Sequence, residues 1–149
     1  MSEFLIERLT SDRFFEVAEL EGLCFSLPWS EKALELLVFD KNVAFVALDS
    51  DTGRVAAYGG MLTVLDEGQI TNIAVNPSCR RQRIGETIVL ALLDYGKKNG
   101  IFSVSLEVRE SNAAARALYE KLGFASVGVR KNFYSKPTEN AIVMIKNIG

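Results

Sequence analysis

The sequence predicts an α+β fold: a mixed, mostly antiparallel sheet of about seven strands with helices on both faces. Three observations predict it. The periodic segments run strand, helix, helix, strand, strand, strand, helix, strand, helix, strand, strand. The turns DSDTG (49–53) and DEG (66–68) join the second, third and fourth strands as hairpins, which are antiparallel. The helix between the fourth and fifth strands is a crossover, and it sets those two neighbours parallel. The 149 residues are read as one domain, 1–149, with no internal linker or repeat.

The elements follow in order. Phe4 to Leu9 alternates apolar and polar and reads as the first strand. Ser11 or Asp12 caps a helix through about Phe25, with Phe14, Val17, Ala18 and Glu21 at helical spacing. Leu27-Pro28-Trp29-Ser30 is a loop, and Ser30 opens a second helix with Ala33, Leu34, Leu37 and Val38 on one side. Val43 to Leu48 and Arg54 to Leu65 are strands, the latter interrupted by Gly59-Gly60, a bulge signal. Gln69 to Val75 is the fourth strand. A long helix spans about Gln82 to Asn99, striped by Ile84, Ile88, Leu92 and Tyr95 and ended by Asn99-Gly100. Phe102 to Arg109 is the fifth strand. Ser111 caps a short helix ending at Leu122-Gly123, with Ala114, Leu118 and Leu122 as its core face. Phe124 to Tyr134 and Asn140 to Ile148 close the sheet.

Composition excludes several classes of function. A net charge of −2 argues against general nucleic-acid binding. No apolar run approaches the ~20 residues of a membrane span, and the acidic N-terminus lacks a signal-peptide core, so a cytoplasmic location is expected. Cys24 and Cys79 have no paired spacing, which suggests neither a disulfide framework nor a metal knuckle. The chain has no histidine, which removes Ser-His and Cys-His nucleophile pairs and the commonest zinc ligands. Catalytic proton transfer falls to Glu, Asp, Tyr, Lys, Cys or water.

Two stretches carry chemistry. Ile73 to Glu86, IAVNPSCRRQRIGE, runs from a strand into the long helix and puts Arg80, Arg81 and Arg83 at the helix start. Cations there oppose the helix dipole at roughly 0.3–1 kcal/mol each. A bound anion would remove that cost, because arginines and free backbone N–H groups would point at the same charge. By itself the cluster reads better as a solvated basic turn with nothing bound. The second stretch is SVSLEVR (103–109). Val104, Leu106 and Val108 face one way, and Ser103, Ser105, Glu107 and Arg109 the other. On the next helix Asn112, Ala115 or Arg116, and Tyr119 share a face. Glu107 and Tyr119 can therefore look into one cleft beside the basic turn. Singly, a strand glutamate is an ordinary solvated side chain and a helical tyrosine an ordinary half-packed one.

Four pieces carry a resemblance: FSLPWSEKAL (25–34), ITNIAVNPSCRRQRIG (70–85), LEVRESNAAARALYEKLGF (106–124), and RKNFY (130–134) followed by AIVM (141–144). Over nearly its whole length the chain resembles the GNAT acetyltransferases. Within them it is most similar to the RimI-type protein N-terminal acetyltransferases, which act on a ribosomal protein. The Pro-Trp-Ser-Glu of the first piece distinguishes that branch. The resemblance implies the GNAT fold, with the parallel fourth and fifth strands splayed. It implies acetyl-CoA as co-substrate, no metal, and the N-terminal peptide of a protein, possibly ribosomal, as acceptor. It implies that pantetheine lies along Ile73, Ala74 and Val75, and that pyrophosphate sits on Arg80, Arg81, Gln82, Arg83, Ile84, Gly85 and Glu86. Asn112 matches a residue that helps hold the cofactor. Glu107 matches the general base and Tyr119 the general acid. Leu27, Pro28, Trp29 and Tyr134 match the walls of the peptide groove. A monomer or weak dimer is expected, binding neither nucleic acid nor membrane. One residue departs from the family's phosphate motif: Arg83 stands where a glycine is usual. It is expected in helical φ/ψ, its Cβ widening the loop or its guanidinium adding a contact. A lysine or small-molecule amine acetyltransferase, or a non-catalytic acetyl-CoA-binding module, remain the alternatives.

Overall fold

The computed structural model describes residues 3–80 and 83–149. The elements are β1 (Phe4–Arg8), α1 (Phe14–Cys24), α2 (Glu31–Leu34), β2 (Val43–Asp49), β3 (Val55–Val64), β4 (Glu67–Val75), α3 (Ile84–Lys98), β5 (Ser103–Arg109), α4 (Ala113–Lys121), β6 (Ala125–Tyr134) and β7 (Glu139–Asn147). The seven strands form one sheet in the order β1-β2-β3-β4-β5-β7-β6. Every neighbouring pair is antiparallel except β4 and β5. Short 3₁₀ turns precede α1, follow α2 and follow β4.

Two cores lie on opposite faces of the sheet. One packs Ile84, Ile88, Val89, Leu92 and Leu93 of α3, with Tyr119 and Phe124, against Val104, Leu106 and Val108. The other packs Phe14, Val17 and Leu20 of α1, with Leu34 and Leu37, against Val46, Leu48 and Tyr58. The α3 stripe predicted from spacing is the buried one, except that Tyr95 is half-buried and donates its hydroxyl to the Lys41 carbonyl at 2.9 Å.

Four expectations are corrected by packing. The bulge lies in β4 rather than β3. Gly59 pairs with Ile73 and Met61 with Ile70, so β4 carries the extra residue at Thr71-Asn72. The glycines serve close approach instead: a Cβ on Gly59 would sit 2.5 Å from Ile88, and one on Gly60 2.7 Å from Leu37. Asn112, not Ser111, caps α4, its side chain accepting from Ala115 N–H at 3.1 Å. On α4, Leu118 and Leu122 of the expected face pack against the core, but Ala114 is exposed and Ala115 and the buried Tyr119 complete the packed face instead. The second helix is one turn long, continued by 3₁₀ turn over Glu35–Val38.

Parallel pairing of β4 with β5 covers only Glu67–Gln69 against Ser103–Ser105. Beyond Gln69 the two strands pair only with their outer neighbours, β3 and β7. The sheet therefore opens at its centre, in line with the bulge.

Candidate active site

The opening between β4 and β5 is the floor of a cleft of about 790 Å³. That is within the range of small-molecule sites. Its walls are the 25–29 loop after α1, the start of α4, and the 133–137 turn between β6 and β7. Of the residues predicted from sequence, Leu27, Trp29, Ile73, Glu107, Asn112, Tyr119 and Tyr134 line it together.

Glu107 points into the cleft because β5 alternates and its odd-numbered residues face away from the α3 core. Oε1 accepts from Gln69 Nε2 at 3.2 Å and from Arg130 Nη1 at 3.1 Å. Gln69 is the last β4 residue paired with β5, so this bond closes the splay at its narrow end. Oε2 is buried with no partner among the described residues. A buried carboxylate oxygen without a donor is costly, so this one is available to a ligand, an amine or a water.

Tyr119 is 8% exposed and packs edge-on against Phe124 at 5.9 Å. Burial pushes its phenol up to about 12, with Tyr134 adding to the effect. Burial likewise pushes Tyr134 up to about 12; the Glu107 charge adds to it and the Arg109 charge opposes it. Both phenols are held neutral, as donors. Arg109 stacks 4.5 Å over the Tyr134 ring and donates to the carbonyls of Ser135 at 3.1 Å and Pro137 at 3.0 Å. It also pairs with Glu139 at 3.2 Å. Hydrogen bonds from Ser111, aided by Arg109, hold the Glu139 carboxyl below the usual range. Arg109 thus fixes one wall of the cleft.

The basic turn lies at the far end of the splay. Arg81 and Gln82 fall outside the described residues. Arg80 is exposed, its guanidinium 3.9 Å from the Cys24 thiol. Arg83 is exposed and caps α3 with φ 60° and ψ 22°, correcting the expectation of helical geometry. This is the left-handed region that glycine occupies without penalty, which gives the family's glycine its physical reason. Gly85 packs its Cα side toward Val75 and Ile73. Glu86 pairs with Lys121 of α4 at 2.9 Å. Ile84 and Ala74 are core residues, and Pro28 is exposed, so the first two can meet a ligand only through backbone. Cys24 is half-buried at the cleft; its thiol donates to the Val75 carbonyl at 3.4 Å, and burial pushes it up.

Sequence reasoning missed Gln69 and Arg130, which hold Glu107, and Arg109. It put Glu21 on the first helix's stripe but assigned it no role, and the residue is fully buried. The signal for Glu21 was present: it completes the i, i+3, i+4, i+7 stripe of Phe14, Val17 and Ala18.

Residues 14–124 match the profile of the acetyltransferase (GNAT) family. The chain belongs to the GNAT family. The [ribosomal protein bS18]-alanine N-acetyltransferase of Escherichia coli (strain K12) is 40% identical over 129 residues, 84% of this chain and 84% of that protein. Its counterpart in Haemophilus influenzae is 34% identical over 143 residues, 94% of this chain and 96% of that protein. The crystal structure of the Escherichia coli ribosomal-protein-S18-alanine N-acetyltransferase matches with a TM-score of 0.90 at 35% identity, covering 99% of this chain and 95% of that one. As a GNAT member this protein is an acyltransferase with acetyl-CoA as co-substrate. The cleft fits that role. The β5-facing edge of β4 beyond Gln69 has no strand partner, so its polar groups are open to an extended amide-bearing arm. Among the described residues, no helix is long and apolar enough to cross a membrane.

Proposed function

We propose that this protein acetylates the N-terminal α-amino group of a protein, with Glu107 as general base and Tyr119 as donor to the leaving thiolate. The relatives are [ribosomal protein bS18]-alanine N-acetyltransferases, which makes a ribosomal protein the first acceptor to test. The observation that carries the reading is Glu107 Oε2, buried without a partner among the described residues at the narrow end of the splay, in the cleft walled by Trp29 and Tyr134.

The attacking amine must be neutral. An α-amino group with pKa near 8 is about a tenth neutral at pH 7, whereas lysine near 10.4 pays roughly 2.5 units more, or ~3.4 kcal/mol. One carboxylate, taking the proton directly or through a water, is enough for the α-amine. Glu107 Oε2 supplies that acceptor while Gln69 and Arg130 hold Oε1 in place. An alkyl thiol sits near 8.5 against about 12 for Tyr119, so full proton donation is uphill by roughly 3.5 units, or ~5 kcal/mol. Tyr119 therefore acts by a hydrogen bond that strengthens as charge develops on sulfur. Backbone N–H groups at the β4 bulge polarise the thioester carbonyl, and transfer is direct, with no acyl-enzyme. Asn112 contributes by fixing the start of α4, and Arg80 to Glu86 by receiving the pyrophosphate.

The test is incubation with acetyl-CoA and a panel of N-terminal peptides, lysine peptides and polyamines, read by thiol release. Turnover of N-terminal peptides alone is expected. Preferential turnover of lysine peptides or polyamines would overturn the reading.

A further inference from the structure

Glu21 is a fully buried glutamate that the chemistry above does not use. Three donors converge on it. Oε1 accepts the backbone N–H of Trp29 at 2.9 Å. Oε2 accepts from Asn72 Nδ2 at 2.9 Å and from the Tyr58 hydroxyl. Those donors come from three different places: the loop between α1 and α2, the β4 bulge, and the floor of β3. Burying a carboxylate in an apolar stripe is expensive, and an aliphatic side chain would fill the space at less cost. What only the carboxylate supplies is acceptor capacity for all three at once.

The tether matters because the loop has little else. Ser26, Leu27, Pro28 and Ser30 are exposed, and Trp29 is half-buried against the α1 core. The loop is bounded by the α1 terminus, where Phe25 N–H bonds the Glu21 carbonyl at 2.9 Å, and by the Ser30 cap of α2 at 3.1 Å. Among the described residues two bonds leave the loop between them. The Ser26 hydroxyl donates to the Ser135 carbonyl of the β6–β7 turn at 3.5 Å. The Trp29 N–H bonds Glu21, whose carboxylate alone ties the loop to Asn72 in the cleft.

We propose that Glu21 is a positioning residue: it sets the Trp29 wall of the cleft in register with the β4 bulge, so that an acceptor peptide's first residues meet Glu107. The proposal rests on the cleft being the acceptor groove, as proposed above. Its action is through the loop and Asn72, not on reacting atoms.

Trp29 is the sole tryptophan, so its fluorescence reports the loop without any assay of activity. The experiment compares wild type, Glu21→Met and Glu21→Gln. In Glu21→Met, Trp29 emission is expected to shift red and acrylamide quenching to rise. Peptide KM should rise at least tenfold, while acetyl-CoA affinity by calorimetry stays within twofold. Glu21→Gln keeps an acceptor for the Trp29 N–H but loses the one shared by Asn72 and Tyr58, so peptide KM is expected to fall between wild type and Glu21→Met. Unchanged emission and KM in Glu21→Met overturn the proposal. So does a parallel loss of peptide KM, kcat and acetyl-CoA affinity, which marks a purely structural role. A red shift with unchanged peptide KM overturns the link to the acceptor. Should Glu21→Met not fold, amide exchange in the wild type decides: the Trp29 amide is expected to exchange at least a hundredfold more slowly than Leu27's, and equal rates overturn the tether. Wild-type protein that turns over no N-terminal peptide but binds acetyl-CoA overturns the proposed function, and the fluorescence and exchange arms still judge Glu21.

Discussion

Arg83 occupies left-handed backbone at the start of α3. A side chain with a Cβ pays about 1–2 kcal/mol there, and glycine pays about 0.5–1 kcal/mol in extra unfolded-state freedom. The difference favours glycine, so Arg83→Gly is expected to stabilise the fold by roughly 0.5 kcal/mol, raising Tm by one or two degrees in a calorimetric scan. The same substitution removes a cation from the turn, and acetyl-CoA titration at two salt concentrations will separate its charge from its strain. Glu107 and Tyr119 give opposite signatures. Among the described residues, Glu107→Gln removes the one buried carboxylate oxygen in the cleft without a partner. A drop in kcat of about 10²–10³ is expected, steepest at low pH where the neutral amine is scarcest. Tyr119→Phe removes a donor and not a base. It should lower kcat with acetyl-CoA affinity nearly unchanged and no change in the shape of the pH profile.

At the scale of elements, the cleft is a gap between two strands closed by three walls. The turn after β6 is held by one guanidinium that reaches two carbonyls, a carboxylate and an aromatic face. A lysine has the charge but not the fork. Arg109→Lys is expected to lose two of those hydrogen bonds, about 1–2 kcal/mol of local stability. Amide exchange should quicken across residues 134–140 and stay unchanged in α3. Peptide KM should rise because Tyr134 rides on the same guanidinium. Exchange that quickens uniformly over the whole sheet would show instead that Arg109 serves global stability.

Over the whole molecule, three tyrosines hold their protons more tightly when folded. Tyr119 and Tyr134 are pushed up to about 12, and burial with the Glu21 charge raises Tyr58 further. An unfolded tyrosine ionises near 10. Between those values the unfolded chain binds fewer protons than the folded one, so unfolding becomes easier as pH rises. The stability they confer is complete below about pH 10 and is lost as pH climbs toward 12. Urea midpoints measured across that window should fall. The fall should be smaller in Tyr119→Phe by about 2–3 kcal/mol, the worth of a two-unit shift in so buried a phenol.

Element order, hairpin turns, the crossover and the α3 stripe were legible in the sequence because period and turn chemistry are local properties. The direction of Glu107 followed from strand alternation, and its company with Tyr119 from helical spacing on the next element. Local pattern could not say which strand carries the bulge. Gly59 and Gly60 announce a close approach, and only the register shows the extra residue at Thr71-Asn72 on the partner strand. Nor could it assign the partners of a charge. Arg130 and Gln69 meet Glu107 from distant parts of the chain, and Glu21 gathers donors from residues 29, 58 and 72. By itself the sequence determined which faces are apolar and where the chain turns. The tertiary structure decided which polar groups are buried together, because that depends on side chains brought from remote segments into a space without water.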